Sequence, residues 1–267
     1  MFEILNLVGA LTLCAAALPL SAASTQVAVP PGPVLELRQY KIARDRRDEF
    51  VAYFEQHFVE TQDRVGMPLL GQFRDTEDPD RFTWIRSFSG MEARKQALSD
   101  FYLGPVWQAH RDTANPMLID NDNVLLLRPA RATSGFAAPP PRPDDRSPGA
   151  GGVIVVNIHY LWKEPDEGFT DFFLDRMAPA LRAAGLPVLG AYVTEKAENT
   201  FPRLPVRQGE KVFVWFTRAA DAGAYRQAML TLANGPGQRD LASALSDFEE
   251  RAAQVLVLAP TPRSALR

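Results

Sequence analysis

Three polar side chains alternate along one short stretch, Glu36, Arg38 and Tyr40, with Leu35, Leu37 and Gln39 between them. Successive side chains of a strand point to opposite faces, so the three would share one face. A second stretch groups Trp84, Arg86 and Phe88 in the same way. A third groups Val155, Asn157 and His159, with Trp215 and Thr217 at matching positions. A carboxylate, guanidinium groups, a phenol and an indole converging on one wall can hold a small molecule by charge, hydrogen bonding and ring contact. The same set also makes a structural ion-pair network, because a buried Arg or Glu is costly unless paired, here as Glu36–Arg38 or Glu36–Arg86.

Of the three histidines, His57, His110 and His159, only His159 falls on a predicted strand face of this kind. That makes it the candidate general base or haem ligand, although a single strand histidine is more commonly packed and hydrogen-bonded. Trp107 and His110 stand near the end of a predicted helix, where solvated side chains are the ordinary outcome. His57, among Glu55, Gln56 and Glu60, reads as solvated. The single cysteine, Cys14, excludes an internal disulfide and any multi-cysteine metal site. No Walker loop, dinucleotide fingerprint, nucleophile elbow or H-E-x-x-H sequence occurs. The residues therefore call for no metal and no cofactor, and a formal net charge of -3 leaves no footprint for nucleic acid.

The elements that must position these groups occur twice. Gly66-Met67-Pro68-Leu69-Leu70-Gly71 returns as Gly185-Leu186-Pro187-Val188-Leu189-Gly190, a shift of 119, and Phe82, Trp84, Gln96 and Val124 return as Phe213, Trp215, Gln227 and Val255, a shift of 131. Self-similarity at a fixed period marks a duplicated structural unit. The 12 extra residues fall within Lys196 to Glu210 and lengthen one hairpin loop of the second copy.

Within each copy the pattern reads β-α-β-β-α-β. In the first, Val34–Lys41 is a strand and 48–65 a helix with Phe50, Phe54 and Phe58 on its apolar stripe, closed by Gly66. Strands at 68–74 and 81–88, a helix at 91–102 with a short extension at 105–111, and a strand at 123–128 follow. The second copy places strands at 153–160, 188–195, 211–217 and 254–258, and helices at 167–184, 219–233 and 239–251. This predicts an α+β chain of two tandem ferredoxin-like repeats, residues 34–129 and 153–260, packed sheet to sheet as a barrel of the dimeric α/β-barrel kind. A Pro- and Gly-rich linker, residues 130–152, joins them and carries Asp144-Asp145. Residues 1–23 read as a signal peptide, which predicts export to the periplasm or beyond and no membrane attachment after cleavage.

Leu35-Glu36-Leu37-Arg38-Gln39-Tyr40, the Gly66-to-Phe73 segment, Phe82-Thr83-Trp84, and Glu92-Ala93-Arg94 leading to Trp107 resemble the NIPSNAP family. The resemblance covers 34–129 well and 153–260 loosely, where Val153 to His159 lacks the Glu, Arg and Tyr and Gln238 replaces Trp107. It implies two tandem NIPSNAP-like domains, a dimeric α/β-barrel fold and a place for Trp107 at the barrel mouth. It carries no established reaction.

Parity assigns Leu35 and Leu37 to the helix-covered side, so Glu36, Arg38, Tyr40, Trp84, Arg86, Asn157, His159 and Trp215, with Trp107 at the mouth, are expected to line the barrel. The expected protein binds a small ligand or partner there, as a monomeric pseudo-dimer or a homodimer. The alternative is a small oxygenase, isomerase or haem-handling enzyme of the same superfamily.

Overall fold

Strand β1 (Val34–Ile42) opens the first half, followed by helices α1 (Arg47–His57) and α2 (Val59–Arg64), strands β2 (Leu69–Asp75) and β3 (Arg81–Phe88), helices α3 (Met91–Tyr102) and α4 (Pro105–Ala114), and strands β4 (Leu118–Asp120) and β5 (Val124–Pro129). The second half runs β6 (Val153–Leu161), α5 (Phe169–Phe172), a π-helical turn (Phe173–Met177), α6 (Ala178–Ala183), β7 (Gly190–Thr194), β8 (Val212–Ala219), α7 (Ala222–Asn234), α8 (Gln238–Phe248) and β9 (Glu249–Pro260). This computed structural model describes residues 33–138, 140–143, 151–166, 168–235 and 238–267. The leader with Cys14, and Asp144-Asp145 with the rest of 144–150, lie outside the described residues.

Two helix boundaries differ from the sequence pattern. The single helix expected over 48–65 breaks at Phe58, whose φ of -113° leaves the helical range. The helix expected to reach Arg251 stops at Phe248, because Glu249 and Arg251 pair with Leu161 and Tyr160 of β6. Ladder pairing there overrides local helix preference.

The nine strands form one sheet in the order β3-β2-β9-β6-β8-β7-β5-β1-β4, and β3 also pairs with β1. That last pairing closes the sheet into a barrel, with β4 a short addition beside β1. Every ladder between these strands is antiparallel. Each half contributes four neighbouring barrel strands, and the seams are β2–β9 and β5–β7. Closure removes the unpaired edges that an open sheet would expose.

Three cores result. One holds only strand and loop residues from both halves, among them Leu35, Leu37, Ile85, Leu125, Ile158, Val214, Phe216 and Leu256, and is the barrel interior. The others lie between sheet and helices, one in each half. In the first half Tyr40, Trp84 and Phe88 meet Phe50, Phe54, Phe58 and Phe101. In the second, Val155 and Trp215 meet Phe169, Phe173 and Tyr225.

The expected parity is therefore reversed. Leu35 and Leu37 fill the barrel, and Glu36, Arg38, Tyr40, Trp84 and Arg86 lie on the helix-covered face. The physical reason is that the closed interior is filled by uncharged, mainly apolar side chains from both halves. Long guanidinium and indole side chains fit instead beneath helices, whose own side chains supply partners.

The duplicated Gly-x-Pro-x-x-Gly segments have a common local cause. Gly66 and Gly185 take φ of +84° and +88°, the left-handed cap that ends each helix with little cost only for glycine. Gly71 and Gly190 lie beneath the rings of Phe73 and Tyr192, where an added Cβ would approach ring carbons at 2.3 and 2.9 Å. The segment between the halves is more than a spacer. Phe136 is buried against Tyr192 and Phe216, and its amide donates to the Tyr192 hydroxyl at 2.8 Å. Past residue 260 the chain continues along β2, where Thr261 N donates to Gln72 O at 2.9 Å and Leu266 N to Leu70 O at 2.8 Å.

Candidate functional site

Alternation on β1 brings Glu36, Arg38 and Tyr40 to the face beneath the first-half helices. Pairing with β3 sets Glu36 opposite Arg86 and Arg38 opposite Trp84. Glu36 is the hub. Its Oε2 accepts from Arg38 Nη1 at 2.8 Å and from Arg86 Nε at 2.8 Å. Its Oε1 accepts from Arg94 Nε, on the first turn of α3, at 2.6 Å. All four charged side chains are fully buried. Burial disfavours the Glu36 carboxylate, but Arg86, Arg38 and Arg94 together hold its pKa far below the usual carboxylate range. For Arg94, burial and repulsion from Arg86 and Arg38 outweigh attraction to Glu36, and its pKa is lowered.

Arg38 Nε also donates to the Tyr40 hydroxyl at 3.0 Å. Its guanidinium carbon lies 5.3 Å from the centroid of Tyr40 and 5.4 Å from that of Trp84, within cation–π range. Burial pushes the Tyr40 phenol up to about 12 despite the nearby Arg38 charge, so at neutral pH it keeps its proton and can donate it. Arg86 Nη1 donates to Gln62 Oε1 at 2.8 Å.

Against this wall lies a pocket of about 240 Å³ between the sheet and α1–α4. Tyr40, Trp84, Phe54, Phe58, Tyr102 and Trp107 supply its aromatic surface. The long β7–β8 connection of the second half reaches over it. Phe201 stacks on Tyr102 at 6.0 Å, Leu204 is buried in the first-half core, and Asn199 Oδ1 accepts from Arg94 Nη1 at 3.0 Å. The connection is anchored where Arg207 N donates to Val124 O at 2.8 Å. This connection of the second half thus forms one wall of the site in the first half.

Six of the expected site residues, Glu36, Arg38, Tyr40, Trp84, Arg86 and Trp107, come together here, outside the barrel. The other three do not join them. Asn157, His159 and Trp215 belong to the helix-covered face of the second half and do not line the pocket of the first. There His159 Nε2 accepts from Trp215 Nε1 at 2.9 Å, which puts the ring proton on Nδ1, 2.7 Å from Glu249 Oε1. Both ring nitrogens are engaged, which removes His159 as a free base or haem ligand in this arrangement. Asn157 Oδ1 accepts from the Tyr225 hydroxyl at 2.8 Å. Rings fill the space facing this layer, with Phe173 5.5 Å from Trp215 and 4.6 Å from Phe213. His57 is half-buried rather than solvated, stacked on His110 at 3.9 Å, and His110 Nδ1 meets the Tyr53 hydroxyl at 2.7 Å.

Sequence reasoning missed Gln62, Tyr102 and the residues of the β7–β8 connection as parts of the site. Arg94 was visible only within a family-like motif, and the change of shift from 119 to 131 was the one sign of the connection. Among the described residues no group of three or more His, Cys, Asp or Glu side chains is placed to hold a metal ion. No described helix is long and apolar enough to cross a membrane.

A closed antiparallel barrel flanked by helices is the architecture of dimeric α/β-barrel proteins. Two solved structures share it along most of this chain. A putative monooxygenase from Fusobacterium nucleatum is 11% identical, covers 86% of this chain and 93% of its own, and superposes with a TM-score of 0.57. Another, from Lactobacillus acidophilus, is 14% identical, covers 87% and 94%, and has a TM-score of 0.54. Residues 35–133 match the NIPSNAP family model. A NIPSNAP-like domain protein from Burkholderia xenovorans is 24% identical, covers 42% of this chain and 97% of its own, with a TM-score of 0.36. No curated protein matches the chain.

Proposed function

We propose that this protein is a small-molecule binder of NIPSNAP type whose site is the helix-covered pocket of the first half. The observation that carries the reading is the pocket of about 240 Å³ walled by Tyr40, Trp84, Tyr102 and Trp107. A dry apolar cavity of ~150 Å³ accommodates benzene, while pockets for drug-sized ligands start near ~300 Å³. The guest is therefore a compact molecule of one or two rings. Native mass spectrometry of freshly purified protein tests this, with a retained mass lost in Trp84→Ala as the expected result. Failure of the whole protein to take up any aromatic probe refutes it.

The two halves are read as tandem ferredoxin-like repeats, the second a diverged NIPSNAP-like domain. Their strand orders, β5-β1-β3-β2 and β9-β6-β8-β7, support this. Barrel closure within one chain supports a monomer in which the halves stand for the two copies of a dimer. The second half then serves as scaffold and as the pocket's outer wall. The leader's composition supports export to the periplasm or beyond.

A second reading is a small oxygenase acting in the same pocket. It is favoured by the shared fold of the two putative monooxygenases, whose alignments span both halves of the chain. Oxygen uptake with a bound aromatic substrate distinguishes turnover from binding alone.

A further inference from the structure

We propose that the ligand of this pocket is an organic anion, an aromatic carboxylate whose charge is offset by the arginine cluster buried behind Tyr40 and Trp84 and whose ring is held among Tyr40, Trp84 and Tyr102. The inference rests on the reading of this pocket as the binding site and adds the chemistry of what fills it.

The first argument is charge. Arg38, Arg86 and Arg94 are fully buried, and every ion pair they form among the described residues ends on Glu36. Three guanidinium groups share one carboxylate, which leaves two positive charges unmatched in a dry setting. Burying an unmatched charge is expensive, and arginine does not escape by losing its proton. An incoming anion removes the imbalance.

The second argument is unsatisfied donors. Arg38 Nη2, Arg94 Nη2 and Trp84 Nε1 are buried with no hydrogen-bond partner. Trp84 lines the pocket, whereas Arg38, Arg86 and Arg94 do not line it themselves: Arg38 lies behind the Tyr40 and Trp84 rings, at 5.3 and 5.4 Å. The Tyr40 hydroxyl accepts from Arg38 Nε and keeps its own hydrogen for the pocket. These are donors without acceptors, the complement of a carboxylate.

The lining points the same way. The pocket has no aspartate or glutamate in its wall, and its charged members are Arg111 and Arg203, both exposed at the rim. Clefts lined by one sign of charge favour ligands of the other.

The duplicated half is an internal control. Where the first half has Glu36, Arg38 and Tyr40, the second has Val155, Asn157 and His159. The indole of Trp215, the counterpart of Trp84, donates to His159, and Phe173 packs at 5.5 Å from it. The copy without the arginines has a satisfied indole with a phenylalanine ring packed against it. Among the described residues, unmatched positive charge, an unpartnered indole and the aromatic-walled pocket coincide in the first half, as a common ligand requires.

The test is calorimetric titration of the full-length protein at pH 7 with 2-naphthoate and with its neutral isostere, 2-naphthalenemethanol. The acid should bind at least tenfold more tightly than the alcohol. Arg38→Gln should abolish that preference. The rim substitution Arg203→Gln, which leaves the buried cluster intact, should weaken the acid severalfold and leave the alcohol unchanged. Equal affinities, or a preference for the alcohol, overturn the anion inference while the pocket reading stands. A preference for the acid that survives both substitutions also overturns it, because the charge would then lie elsewhere. Binding of neither probe removes the pocket reading and this inference with it.

Discussion

Replacing Glu36 by Gln keeps the shape of the side chain and removes the one carboxylate facing three buried guanidinium groups. Arg38→Ala is a gentler change, since Glu36 keeps Arg86 at 2.7 Å and Arg94 at 2.6 Å, and the cluster loses excess positive charge. Breaking a buried pair from one side costs about 3–5 kcal/mol. For a chain of this length each kcal/mol moves the melting temperature by roughly 2–4 °C, so Glu36→Gln should melt roughly 6–20 °C lower at pH 7. The sign with pH follows from the depressed pKa of Glu36 in the folded protein. Its contribution is fully present above the unfolded carboxylate value of about 4.3 and is lost as pH falls toward the folded value. Each pH unit in that window removes about 1.4 kcal/mol. The gap between wild type and variant should stay constant from pH 8 to pH 5 and narrow by pH 3. Thermal unfolding followed by circular dichroism measures it, and other carboxylates titrate alike in both proteins. A gap under about 2 °C at pH 7, or one unchanged at pH 3, would show that Glu36 is not the hub of a buried network.

Gly71→Ala should cost about 1–3 kcal/mol by overpacking, since its Cβ would meet the Phe73 ring at 2.3 Å, read as a lower urea midpoint with unchanged slope. His159→Phe should cost about 1–3 kcal/mol, because Trp215 Nε1 and Glu249 lose the partner they share; an unchanged melting temperature would contradict that network. Trimming the β7–β8 connection to a short turn should leave the barrel folded but release Leu204 and Phe201 from the pocket, raising naphthoate dissociation rates in stopped-flow fluorescence. A truncated chain ending at Pro129 would bare Leu35, Leu37, Ile85 and Leu125, and light scattering should find it dimeric or aggregated; a well-behaved monomer would contradict the shared interior. For export, N-terminal sequencing of protein from its native host should begin near Ser24, and a soluble cytoplasmic protein retaining Met1 would refute the leader.

The recurring sequence segments and the alternation of apolar residues made most of the element order readable from the chain alone. Helix α3 follows its expected bounds, and Gly66 and Gly185 mark caps that local backbone geometry alone requires. Likewise, the alternation of Glu36, Arg38 and Tyr40 was enough to put them on one face of β1. Which face was beyond its reach. Strands buried on both sides carry no solvent-exposed set to orient them, and in β1 seven consecutive residues are buried. The outcome depended on closure, in which eight strands share one dry interior and leave the arginines beneath the helices. Long-range packing alone also decided that the β7–β8 connection of the second half walls the pocket of the first half. Asn199 meets Arg94 across 105 positions of chain, and nothing local to either residue encodes that meeting. Local spacing therefore determined the elements and the grouping of side chains along them, while tertiary closure determined which groups met, which were left unmatched, and where the open space lay.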